Sequence, residues 1–91
     1  MKEVDVNFIL AWFMGTEPIL ADYTTNLNSM YNVEKRLHPK QWHKYVCVLA
    51  RVISQEFDPN VKVSVPVNVL ISATAYERAE AFLRTINLWK K

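Results

Sequence analysis

The sequence predicts an α+β fold, a small helix-rich domain of about four helices with one long or broken β-strand. Three observations lead there. Apolar residues recur at helical spacing in several stretches, one run of valines alternates with period two, and the 91 residues include a single glycine, Gly15. That shortage excludes phosphate-cradling glycine loops and glycine-tight hairpins. The length sets one domain over residues 1–91, and a hydrophobic content of 51% provides a modest core.

The first helix spans Glu3 to Met14. Val6, Ile9, Leu10 and Phe13 give i, i+3, i+4, i+7 spacing, and Gly15 is a natural stop. "TEPILADY" follows as a connection, because Pro18 discourages helix. Thr25 can cap a second helix, Asn26 to Arg36, with Leu27, Met30, Tyr31 and Leu37 on its buried side. A third runs from Pro39 to Ser54, with proline in its first turn. Its apolar stripe is Trp42, Tyr45, Val46, Leu49, Val52 and Ile53; Lys40, Lys44, Cys47 and Arg51 lie opposite. In the last helix, Thr74 and Glu77 form the T-x-x-E capping box, and Ala75, Ala79, Phe82, Leu83 and Ile86 face inward. Its alanines suit close packing on a sheet, and Lys90 and Lys91 suit the negative end of its dipole.

Between the last two helices, Val61, Val63, Val65, Val67, Val69 and Ile71 alternate with other residues, which is the signature of a strand. Pro66 cannot donate to a ladder, so it marks an edge or a break. "EPILADY" is the best internal partner; the same strand of a second copy is the other. This deficit of partners predicts a homo-oligomer, most simply a dimer.

Net charge is only +2, but its distribution is uneven. No acid lies between Glu34 and Glu56, whereas Lys35, Arg36, Lys40, Lys44 and Arg51 do, and His38 and His43 can add charge at lower pH. Acidic and polar residues interrupt the N-terminal apolar run, which reads as helix rather than signal peptide. No stretch approaches a membrane span. The lone Cys47 excludes an internal disulfide and fits a reducing compartment.

Two stretches carry a resemblance. "DYTTNLNSMYNVEKRLHPKQWHKYV" (Asp22 to Val46) is similar to an N-Y-T-x-S-L-D-A-M-x-x-x-E-K-x-L-T-P-E-Q pattern. "SATAYERAEAFLRTINLWKK" (Ser72 to Lys91) resembles the ending A-T-A-x-x-R-A-E-A-F-L-R-T-L-x-L-W. Both patterns belong to small proteins of tailed phages and prophages, some grouped with the phage ABA sandwich domain, an α/β/α arrangement. The resemblance implies a phage setting, which with the missing signal peptide and membrane span leads to the host cytoplasm as the expected place. It brings no catalytic residues.

The residues themselves favour binding over catalysis. His43 and Cys47 have the i, i+4 spacing of a metal pair, but no second pair closes the shell, so no metal is expected. Cys47 has basic neighbours but no complete nucleophilic arrangement, and Glu77 is occupied in a cap. No catalytic residue and no cofactor is assigned. Candidate binding residues are Arg36, His38, Lys40, Lys44 and Arg51 on the basic segment, with Trp12 and Trp89 near helix ends. A solvated helix face is the commoner meaning of such a charge run. Taken with the phage setting, these residues lead to a non-enzymatic accessory protein that antagonises a host process, antiviral defence foremost. It would occlude a host protein or sequester an anionic nucleotide signal between subunits. The alternative is a small nucleic-acid-binding protein that uses the basic helix, residues 35–51.

Overall fold

A computed structural model describes residues 1–90, and every regular element in them is helical. The order is α1 (Glu3–Met14), a 3-10 turn (Pro18–Leu20), α2 (Leu27–Glu34), α3 (Pro39–Ser54), α4 (Val67–Ile71) and α5 (Ala75–Thr85). The α+β expectation is therefore corrected: no strand occurs among the described residues. The α/β/α arrangement implied by the resemblance is likewise absent from them.

The valine run fails as a strand for a physical reason. β-propensity expresses fit to a neighbouring strand and a half-buried face. The proposed internal partner is itself the 3-10 turn, with Pro18 at its start. Val61 to Pro66 instead run as irregular chain, and among the described residues the amides of Lys62 to Val65 donate no hydrogen bond. Pro66 then opens α4, its carbonyl accepting from the Val69 and Leu70 amides. With the strand goes the reason it gave for an oligomer.

The main helices end by the same device. A residue in the left-handed conformation follows α1 (Gly15, φ 71°), α3 (Gln55, φ 54°) and α5 (Asn87, φ 63°). The next amide reaches back to the last turn in each case: Thr16 to Ala11, Glu56 to Arg51 and Leu88 to Leu83. These are Schellman ends, which satisfy carbonyls that a helix leaves free. The last helix stops at Thr85, so Lys90 lies beyond its terminal turn, and Lys91 lies outside the described residues. Its start is as expected: Thr74 Oγ1 accepts from the Glu77 amide at 3.1 Å and Glu77 Oε1 from the Thr74 amide at 2.9 Å.

Helix α5 packs on α3 rather than on a sheet, and it also meets α1 and α2. Val6, Leu10, Met30, Val33, Tyr45, Phe82 and Leu83 fill the centre. Ala79 and Ala81 let the backbones approach. The α1–α2 connection is fastened to α1 through Thr24 and closed on itself between Thr16 and Tyr23. Thr24 bonds to both side-chain polar atoms of Asn7 and donates to Glu3, while Thr16 meets the Tyr23 hydroxyl at 2.8 Å.

Helix α2 is capped by Asn26 rather than Thr25, its Oδ1 accepting from the Asn28 and Ser29 amides. Asp22 supports this start by accepting from Ser29 Oγ (2.7 Å) and Asn26 Nδ2 (2.8 Å). These bonds, Ser29's first, hold the Asp22 carboxyl below its ordinary value of 3.8. A folded-state value below the unfolded one adds stability above the unfolded pKa, and that stability is lost as pH falls through the lower folded value. Asp22→Asn should therefore flatten the acid limb of the stability profile. Urea midpoints taken near neutrality and at about pH 3 check this: the gap between wild type and variant should narrow in acid.

Candidate functional site

Two surfaces and one buried polar cluster are distinctive. The first surface is the basic ridge of α3. Lys40 and Lys44 stand one turn apart and exposed, with His43 between them in sequence. Lys35 and Arg36 are exposed in the turn after α2. Ion pairs among the described residues are Arg78–Glu34 and Arg84–Glu80, so Lys35, Arg36, Lys40 and Lys44 have no acidic partner there. His38 works as the cap of α3: its Nδ1 accepts from the Lys40 amide, and Gln41 Oε1 accepts from the His38 amide.

Arg51 is placed differently from the lysines. Its guanidinium donates to the backbone carbonyls of Glu56 (3.2 Å), Asp58 (2.9 Å) and Val61 (2.9 Å). These bonds wrap the following loop around the end of α3 and leave the ridge to the lysines. His43 Nε2 and Cys47 Sγ lie 3.9 Å apart on the exposed side of α3. Among the described residues, no group of three His, Cys, Asp or Glu side chains gathers in a way that could hold a metal ion.

The second surface is the outer side of α1. Val4, Phe8 and Trp12 recur every four residues and are 69%, 59% and 71% exposed. Beside them the 3-10 turn presents Ile19 and Leu20, 92% and 79% exposed. Only Trp12 of this set stands out in a sequence reading that takes Val6, Ile9, Leu10 and Phe13 as the helix's apolar side. The signal for the others is in the sequence nevertheless: α1 is apolar at 4, 8 and 12 as well as at 6, 10 and 13, so it has two apolar sides.

Trp89 does not resemble Trp12. Tyr76 meets its ring edge-on, with centroids 6.5 Å apart, and the Arg84 guanidinium lies over it at 5.3 Å. It is half-buried in the fold. Trp42, assigned to the core stripe, remains 41% exposed, with its ring edge-on to Tyr45.

The buried cluster joins α2, α3 and α5. Arg78 Nη1 lies 3.1 Å from Glu34 Oε2, with side chains only 11% and 7% exposed. The Tyr45 hydroxyl donates to the same carboxylate oxygen. Burial first, and the neighbouring carboxylate second, keep the Tyr45 phenol protonated far above its ordinary range. Arg78 also donates to the carbonyls of Leu70, Ile71 and Ala73, which closes the end of α4. With its donors directed to these partners, the cluster holds elements together. Glu34 and Arg78 are 44 residues apart, and no local pattern links them.

No helix among the described residues is long and apolar enough to cross a membrane. No protein-family model, curated protein or solved structure matches the chain.

Proposed function

We propose that this chain is a non-enzymatic phage accessory protein that docks on an acidic surface of a host protein and so antagonises a host process, antiviral defence foremost. The phage setting rests on the resemblance of Asp22–Val46 and Ser72–Lys91, and placement in the host cytoplasm is supported by the lack, among the described residues, of a helix able to cross a membrane. The observation that carries the binding mode is the ridge of Lys40 and Lys44, flanked by Lys35 and Arg36, with no acid paired to it among the described residues.

The shape of the ridge selects among ligands. A phosphate clamp needs several donors that converge on one anion, and bidentate arginine is its strongest part. Arg51 is engaged with its own loop, and Lys40 and Lys44 stand exposed along one surface helix. Spaced cations along one helix match spaced carboxylates on a partner better than one small nucleotide. They also accelerate encounter with an oppositely charged surface.

The test compares tagged wild type with Lys40→Glu/Lys44→Glu in capture from host lysate, with both proteins and small molecules identified. The double variant should lose its protein partner at least about tenfold while its circular dichroism stays unchanged. Undiminished capture by the folded variant would remove the ridge from the function. If the captured material is nuclease-sensitive and binding weakens steeply with salt, a nucleic-acid ligand replaces the protein one.

A further inference from the structure

We propose that two copies of this chain form a two-fold dimer through α1, each placing Trp12 in the groove between α1 and the 3-10 turn of the other. The inference starts from α1 itself. Its inner side is fully buried at Val6, Leu10 and Ala11, while its outer side carries Val4, Phe8 and Trp12 in the open. A helix apolar on both sides is an interior helix. The chain provides only half of that interior.

Among the described residues, no segment covers this outer side. The connection that bears Ile19 is closed across its base by Thr16–Tyr23 and tied to α1 by Thr24 with Asn7 and Glu3. The apolar turn is therefore held out beside the helix instead of collapsing on it. A surface fixed in its binding shape loses little entropy on association.

Size points to a protein occupant. Taking the exposed fractions of Val4, Phe8, Trp12 and Ile19, these four residues offer roughly 550 Å² of accessible surface, most of the ~800 Å² each partner contributes to a standard interface. An apolar patch of that extent lies at the upper end of what monomers expose and is often an interaction site.

Shape points to a second copy. Val4, Phe8, Pro18 and Ile19 line a groove of about 520 Å³ between α1 and the turn. Trp12 projects from the same ridge, one turn beyond Phe8. A two-fold contact requires one surface to carry both the projection and its receptacle. Here both lie on one helix, with Phe8 between them, so the axis passes near Phe8. Ridges of every fourth residue interdigitate when two helices cross at about −50°. Of the polar groups bordering the groove, Asn7 and one carboxylate oxygen of Glu3 already bond to Thr24, and the exposed second oxygen of Glu3 stays at the wet rim of the contact.

Light scattering and sedimentation at tens of micromolar test this. Wild type should show twice the chain mass of 10.6 kDa. Trp12→Glu and Ile19→Asp should each weaken the dimer at least about thirtyfold, with unchanged circular dichroism, and Trp12→Phe should retain most of it. Ile19 stands almost wholly in solvent outside the helices, so its replacement leaves the core intact. A wild type of single-chain mass overturns the proposal, as does a dimer that persists in both folded charged variants. A monomeric wild type that loses a captured protein on Trp12→Glu also overturns it, and assigns the groove to that protein.

Discussion

Arg78→Met should lower folding stability by about 3–5 kcal/mol, the range for removing one partner of a buried ion pair. The loss has two parts. Glu34 keeps its buried carboxylate and the Tyr45 hydroxyl but loses its cation. The carbonyls of Leu70, Ile71 and Ala73 lose their donors together, so α4 loses the group that closes it. For a domain whose total stability is on the order of 5–15 kcal/mol, this is a large share. Urea unfolding should show a lower midpoint with an unchanged slope, and the melting temperature should fall by more than about 10 °C. A double-mutant cycle with Tyr45→Phe should show coupling between the sites, because both groups bear on one carboxylate oxygen. A loss under about 1 kcal/mol would mean that the pair behaves as a solvated one.

Phe82→Ala should remove about 3–5 kcal/mol by a different mechanism. The ring is 1% exposed, and Phe13 approaches its edge at a centroid distance of 5.4 Å. It sits on α5, which meets α1, α2 and α3, so the void opens where the helices converge. Both the transfer energy of the ring and the cost of the cavity enter, since surrounding helices relax only in part. Phe82→Leu, which keeps much of the apolar volume, should lose markedly less. Chemical denaturation of the pair decides the matter. Equal losses would show that the ring's edge contacts, rather than the filled volume, hold the helices.

These two residues differ in how far the sequence announces them. Phe82 lies on a stripe with Ala75, Ala79 and Leu83, and the Thr74–Glu77 box marks the helix that carries it. Local signals of this kind also place α1 and α3, through Gly15 and Pro39. Arg78 has no such mark. Its partners come from α2 and the end of α4, and only the folded chain brings them together. The valine run misleads for the same reason: its alternation is local, but a strand is a relation to another strand. Arg78 and Pro66 resolve that stretch into chain and short helix.

The candidate surfaces divide similarly. Lys40 and Lys44 are legible as a ridge because helical spacing alone places them together. Arg51 shares their periodicity, yet the loop that follows α3 takes up its guanidinium. Of the apolar face on α1, Trp12 is legible as a residue near a helix end. Ile19 joins that face only through the fold of the connection.

The loop held by Arg51 has a consequence on the time axis of amide exchange. The clasp reaches as far as the carbonyl of Val61, and the next amides, Lys62 to Val65, donate to nothing among the described residues. Their hydrogens exchange with water at rates set by local solvent access, without waiting for the domain to open. Buried amides of α3 and α5 exchange only through larger openings, whose rarity follows global stability. One deuterium time course thus contains two clocks. Replacing Arg78 or Phe82 speeds the slow one, while residues 62–65 keep the fast time.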